Sequence, residues 1–222
     1  MKDYGVFDIL GPVMIGPSSS HTAGAARIGK ISSEIAKGFF HKVTFNLHGS
    51  FAKTYKGHGT DRALVAGVLG MEPSDERIKD SLNIAKEKGI LIEFIETDLG
   101  YVHPNTVKVD FHYKDRDDFY VIGSSIGGGN IIITNINGNE VEFSGDYPTI
   151  LLKYKDQKGS ISKISSIISN EDINIATMKV SREGDIATMV MEIDSPIEDK
   201  IIDNISSLNE IIYITGINPI TR

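Results

Sequence analysis

TILLKYKDQKGSISKISSIISN, Thr149–Asn170, holds two patterns joined by one glycine. The first eight residues, TILLKYKD (149–156), are rich in apolar and β-favouring side chains and read as a strand. After Gly159, isoleucines at 161, 164, 167 and 168 recur at the spacing of one helix face, which predicts that all four enter a core. INIATMKVSRE (173–183) and DIATMVMEID (185–194) read as two strands around a turn at Gly184. SPIEDKIIDNISSLN (195–209) reads as a helix with Ser195 as N-cap and Pro196 in the first helical position, and IIYITGI (211–217) as a last strand. The order βαββαβ is the split-βαβ, ferredoxin-like arrangement. Two helices on one face of four strands leave the other face open, so self-association is expected there.

Upstream the composition changes. All six histidines and most of the 22 glycines precede residue 145, and SGDYP (144–148) reads as a turn-rich connector. The expected division is therefore residues 1–147 and 148–222. In the first part, apolar residues at 25, 28, 31, 35 and 39 mark a helix, and VTFNLHGSF (43–51) alternates like a half-buried strand. Further helices are expected from Thr60 and over Ser74–Lys88. ILIEFIETD, NTVKVDFHYK, DFYVIGSSI, NIIITNI and NEVEFS then read as successive strands, the last two joined by a hairpin turn at NING (135–138). Helices followed by neighbouring strands predict an α+β fold: an N-terminal α/β domain with a largely antiparallel sheet, then the βαββαβ domain.

Bulk properties narrow the function. The chain has 222 residues, 24% charged and 40% apolar, with a formal charge of -7. No basic stripe suggests nucleic acid, and no apolar run approaches the roughly 20 residues of a membrane span. The amino-terminal residues lack a secretory pattern, and a cytoplasmic protein is expected. There is no cysteine, which excludes disulfides and any thiolate ligand from this chain.

Three stretches concentrate chemistry. GPSSSHTAG (16–24) puts Ser18, Ser19, Ser20, His21 and Thr22 at a helix mouth, where free backbone N–H groups and hydroxyls suit a carboxylate or phosphate. An N-cap would account for one of the serines. HGSFAKTYKGHGTD (48–61) offers His48 and His58 among glycines. Imidazoles that titrate near neutrality exchange protons readily. Asp61 can orient His58 or cap a helix, and Lys53 can meet a carboxylate or simply be solvated. HPNT (103–106) projects His103 from a turn fixed by Pro104, and GGG (127–129) reads as a loop between strands.

GPSSSHTAG, HGSFAKTYKGHGTDRAL (48–64), HPNT and SIGGGNI (125–131) together resemble the β chain of the bacterial iron–sulfur-dependent L-serine dehydratase. The last 75 residues resemble an ACT domain. The resemblance implies a cysteine-bearing α subunit that holds a 4Fe-4S cluster, in agreement with the cysteine-free sequence here. It implies conversion of L-serine to pyruvate and ammonia by the assembled pair, with this chain inactive alone. It places Ser18, Ser19, Ser20 and Thr22 around the substrate carboxylate, with Ser50, Lys53, Asp61 and Asn105 also binding substrate. His21, His58 and His103 would line the reacting centre, His58 being the first choice of base. In the ACT domain, Gly159 and Asn174 mark the edge where an effector would bind, although Lys158 stands where proline commonly precedes the glycine. The first part also resembles an intervening domain of some D-3-phosphoglycerate dehydrogenases. Two alternatives therefore stay open: a regulatory serine-binding module without catalytic residues, and a phosphate- or glycerate-binding domain.

Overall fold

A computed structural model of the chain describes residues 13–219. Two compact units divide it, one running to Gly138 and the other spanning Asn139–Pro219.

In the first unit a wide turn of π-helix, Ser19–Ala23, leads directly into α1, Gly24–Ala36. Strand β1 covers Lys42–Leu47 and is followed by α2, Gly49–His58, and α3, Thr60–Val68. Asp75 caps a short 3-10 segment, Glu76–Asp80, and α4 follows over Ser81–Glu87. Strands β2 (Leu91–Glu96), β3 (Thr106–His112), β4 (Phe119–Gly127) and β5 (Asn130–Ile136) complete the unit. Their order is β2-β1-β3-β4-β5. β1 and β2 run parallel, while β1/β3, β3/β4 and β4/β5 are antiparallel. The sheet is thus largely antiparallel, as expected.

Val43, Phe45, Leu47, Val107, Val109, Phe111 and Val121 give one sheet face its buried side chains, and Ile28, Ile31 and Ile35 of α1 are equally buried. α1 and α3 cross backbone to backbone. A Cβ at Gly67 would lie 2.0 Å from the Ala26 carbonyl oxygen, and one at Gly29 would lie 2.3 Å from that of Leu64. Only glycine permits this approach.

Two readings of this unit need correction. The strand expected over 43–51 ends at Leu47, because Gly49 takes φ +56 and turns the chain into α2. His58 consequently ends a helix, before Gly59 at φ +70, instead of lying in a loop. The helix expected from Ser74 begins instead as the 3-10 segment capped by Asp75, whose carboxylate accepts from the Arg77 N–H.

The chain passes into the second unit through positive φ at Asn137 (+49) and Gly138 (+89). That unit contains β6 (Asn139–Phe143), β7 (Thr149–Lys155), α5 (Ser160–Asn170), β8 (Ile175–Glu183), β9 (Ile186–Ile193), α6 (Asp199–Ser206) and β10 (Ile211–Ile217). Four of its strands form an antiparallel sheet of order β10-β7-β9-β8, the ferredoxin-like arrangement. Ile150, Leu152, Tyr154, Ile164, Ile168, Met189, Met191, Ile201 and Ile205 build one core.

Ile161, expected inside, is 45% exposed. Ser160, Ile164 and Ile168 carry the buried line of α5. At 3.6 residues per turn Ile161 stands about 60° off that line. The helix expected over 195–209 is shortened to Asp199–Ser206, with Glu198 as N-cap in place of Ser195. Asn218 holds the preceding segment out of the helix: its Oδ1 accepts from the Ile197 N–H at 2.9 Å, and its amide donates to the Ile197 carbonyl. The sheet face away from the helices is not fully open either. Leu151 and Val190 on it are buried, and within this unit Lys179 pairs with Glu142 of β6 while Thr188 donates to Asn139.

Candidate active site

The chemistry-bearing stretches converge at one end of the first sheet. There the π-turn precedes α1, α2 leaves β1, and the segment before β3 meets the β4–β5 loop. The meeting is built from backbone. Pro104 accepts from the Ser50 N–H at 2.8 Å, and a Cβ at Gly49 would come within 2.7 Å of the same carbonyl oxygen. The Ser125 N–H donates to the Asn105 carbonyl at 2.9 Å. A Cβ at Gly24 would fall 2.1 Å from Ser125 Oγ, so α1 begins directly against that hydroxyl. From α1, buried Arg27 reaches the Gly129 carbonyl at 2.9 Å and anchors the triple-glycine loop.

His21 is the hub. It is buried in the π-turn, a helical irregularity found often at functional sites. Its Nδ1 lies 3.2 Å from Ser20 Oγ and 3.3 Å from Ser18 Oγ, and its Nε2 lies 3.2 Å from Ser50 Oγ. Ser18 also caps the turn, its Oγ accepting from the His21 N–H. One serine is therefore a cap, as the sequence allowed, but its hydroxyl is shared with the imidazole. The His21 ring packs edge-on against His58, with centroids 4.7 Å apart, and against Phe51 at 5.3 Å. Burial, and then the neighbouring His58, pull the His21 imidazole below its ordinary value. The ring is thus neutral at pH 7, with one nitrogen donating and the other accepting. Serine hydroxyls on both sides suit such a ring, because each can accept or donate.

His58 borders a cavity of about 280 Å³ lined also by Gly16, Pro17, Thr22, Lys56, Gly57, Gly59, Arg62 and Lys79. Thr22 is 2% exposed, and its Oγ1 has no hydrogen-bond partner. The His58 Nδ1 is likewise buried and without a partner.

The remaining expected residues divide. Ser18, Ser20, His21, Ser50 and His58 come together, and Thr22 faces the cavity. Ser19 contributes its carbonyl to the Gly24 N–H. Lys53 is exposed on α2. Asp61 caps no helix and does not touch His58; it accepts from the Arg62 N–H, and burial pushes its carboxyl up. His103 is exposed and turned onto its own loop, where the Asn105 N–H donates to its Nδ1. Asn105 Oδ1 is buried with no partner. His48 bonds to backbone, accepting from the Leu99 N–H at 3.1 Å. Lys56, Arg62 and Lys79 were not singled out from the sequence. Two of them lie inside HGSFAKTYKGHGTDRAL, where they look like ordinary charges on a helix face. Lys79, in the 3-10 segment, has no local signal at all.

In the second unit, Gly159 starts α5 at φ +90 with open space beside it, and Asn174 is exposed. Among the described residues no three His, Asp or Glu side chains group as metal ligands, and no helix is long and apolar enough to cross a membrane.

Fold and site define a class: an α+β unit carrying a neutral imidazole between serine hydroxyls, joined in sequence to a ferredoxin-like module of the ACT type. Residues 5–88 match the model of the serine dehydratase beta chain family, and residues 149–210 that of the ACT domain. The chain is 50% identical over 204 residues to the L-serine dehydratase beta chain of Peptoniphilus asaccharolyticus, covering 90% of this chain and 92% of that one. It is 46% identical over 219 residues to the probable L-serine dehydratase beta chain of Bacillus subtilis, covering 98% and 99%. A D-3-phosphoglycerate dehydrogenase of Bacillus subtilis is 30% identical over 200 residues, covering 86% of this chain and 36% of that protein. The chain belongs to the serine dehydratase beta chain family.

Proposed function

We propose that this chain is the β subunit of an L-serine dehydratase, a lyase that converts L-serine to pyruvate and ammonia in the cytoplasm. The observation that carries the reading is the imidazole pair: neutral His21 held at both nitrogens by serine hydroxyls, with His58 beside it on a cavity wall. A site that only senses serine requires no proton transfer, so two touching imidazoles favour a catalytic role over the regulatory alternative.

The 4Fe-4S cluster of the family does not fit this chain. It has no cysteine, and no other ligand group takes the place of thiolates among its described residues. The cluster belongs to a cysteine-bearing α subunit, and this chain alone is inactive. The steps assigned here concern its own residues. His58 accepts the α-proton of serine and delivers it to the departing β-hydroxyl, which leaves as water. The aminoacrylate so formed tautomerises and is hydrolysed to pyruvate and ammonia. His21 cannot itself take the α-proton without giving up a serine partner. It holds the His58 ring edge-on and passes protons between Ser18 or Ser20 and Ser50 by exchanging tautomers, with no net charge created. His103 acts, if it reaches the substrate, only after its own loop contact opens. The ACT unit is regulatory, with Gly159 and Asn174 at its effector edge.

A positioned general base contributes about 100- to 10,000-fold. His58→Ala in the pair reconstituted with the cysteine-bearing partner is expected to lose turnover on that scale while still assembling. Unchanged turnover with a shifted dependence on serine would overturn the catalytic assignment in favour of the regulatory one.

A further inference from the structure

The hydroxyls expected to hold the substrate carboxylate are already engaged: Ser18 and Ser20 serve the Nδ1 of His21, and Ser50 serves its Nε2. The adjoining cavity has a different wall. Lys56, Arg62 and Lys79 line it together with Thr22 and His58, and no carboxylate side chain lines it. None of the three cations forms a salt bridge among the described residues, although the chain carries a net charge of -7. Lys56 and Arg62 share the nearby Asp61 carboxylate, so three cations face one carboxylate around this concavity and the excess positive charge attracts an anion. The second, independent sign is Thr22, almost fully buried, with an Oγ1 that has no partner. A buried hydroxyl without a partner is costly, and a bound group that meets it offsets that cost. Glycines 16, 57 and 59 expose backbone in a wall completed by Ile15, Pro17 and Ile78, and bare backbone admits a ligand closely.

We infer that the substrate carboxylate is bound by the cationic wall of this cavity, with Arg62 and Lys79 as specificity-determining residues and the Thr22 hydroxyl as a donor. This rests on the proposed serine reaction and adds to it a direction for the substrate. The carboxylate points toward Arg62 and Lys79, the ammonium group points away from them, and the α-carbon lies on the His58 side. The site therefore selects α-carboxylates and discriminates against serine derivatives whose carboxyl is neutralised.

The test is a KM-against-kcat split in the reconstituted complex. Both cations are exposed, so Arg62→Ala with Lys79→Ala leaves the fold intact. The double variant is expected to raise KM for L-serine about 10-fold or more while kcat stays within about threefold, and Arg62→Lys is expected to recover part of the loss. A KM within about twofold of the parent overturns the assignment. Should the complex fail to deaminate serine at all, the function fails but the site is still readable. Amide resonances of Gly57 and Gly59 in the full-length chain are then followed on titration with L-serine and with L-serinamide. Shifts with serine alone, lost in the double variant, support the carboxylate site; equal shifts with both, or none with either, overturn it.

Discussion

The two units bury polar atoms differently. In the first, Thr22, His58, Thr60, Asn105 and Ser125 each have a buried side-chain atom without a hydrogen-bond partner on segments that converge at one end of the sheet, while Ser32, His41 and Glu72 have others outside those segments. In the second, the corresponding atoms are the Tyr154 hydroxyl, Ser160 Oγ and Thr215 Oγ1, spread over β7, the start of α5 and β10. Tyr154 lies within the apolar core itself, and burial raises its hydroxyl above the ordinary value. A dispersed set is a by-product of packing around isoleucine and methionine. A converging set marks a place where stability is given up for chemistry, since satisfying those groups internally would fill the cavity.

The contrast predicts that damage to the second unit leaves the first working. Ile164 is fully buried beneath β7 and β9, and its truncation to Ala is expected to destabilise that unit by about 2–5 kcal/mol. Amide exchange across residues 139–219 should accelerate, while exchange in α1 and α3, and turnover in the reconstituted pair at saturating serine, should hold. An equal acceleration in both units would break the comparison, because it would make the two a single cooperative body.

Gly67→Ala sharpens the comparison from the other side. Its Cβ would meet backbone, 2.0 Å from the Ala26 carbonyl oxygen and 2.8 Å from the Lys30 nitrogen, so no rotamer change relieves it. Separating α1 from α3 is expected to cost about 1–3 kcal/mol or more. It also moves the π-turn that carries His21. Turnover should therefore fall in proportion to the loss of stability, measured by chemical denaturation of the same preparation. Full activity in a destabilised Gly67→Ala would show that α1 does not position the site.

How much of this was legible beforehand follows from the range of the forces involved. The βαββαβ unit could be read almost whole, because its strands and helices are set by periodicities of two and 3.6 within single segments. What misled there came from outside the segment: Asn218, 21 residues beyond Ile197, holds off the first turn of α6, and nothing near Ser195 announces it. In the first unit, the residue types of the site were visible in GPSSSHT and HGSF, but their partnerships were not. The Ser50–His21 contact spans 29 positions, and the cavity wall joins Thr22 to Lys79. The alternation through VTFNLHGSF hid the helix that carries His58, since Gly49 could equally have continued a strand. Only the carbonyl of Pro104, waiting opposite, decides it.

The smallest expected effect concerns His21 and the sign of its titration. Its imidazole is held below the ordinary 6.5 by burial first and by His58 second. In the window between the lowered native value and 6.5, the unfolded chain binds the proton and the folded chain does not. Stability then rises with pH across that window, is fully present above 6.5, and is lost as pH falls through the native value. His21→Gln removes this contribution, because glutamine is neutral in both states and still offers a donor and an acceptor to the serines. Its melting temperature should sit below the parent's above pH 6.5, and the gap should narrow as the pH falls through the window. A gap that stays constant with pH would mean that His21 is no more reluctant to take a proton than the scattered polar groups of the second unit are to stay dry. The converging set would then have lost its electrostatic distinction and kept only its geometry.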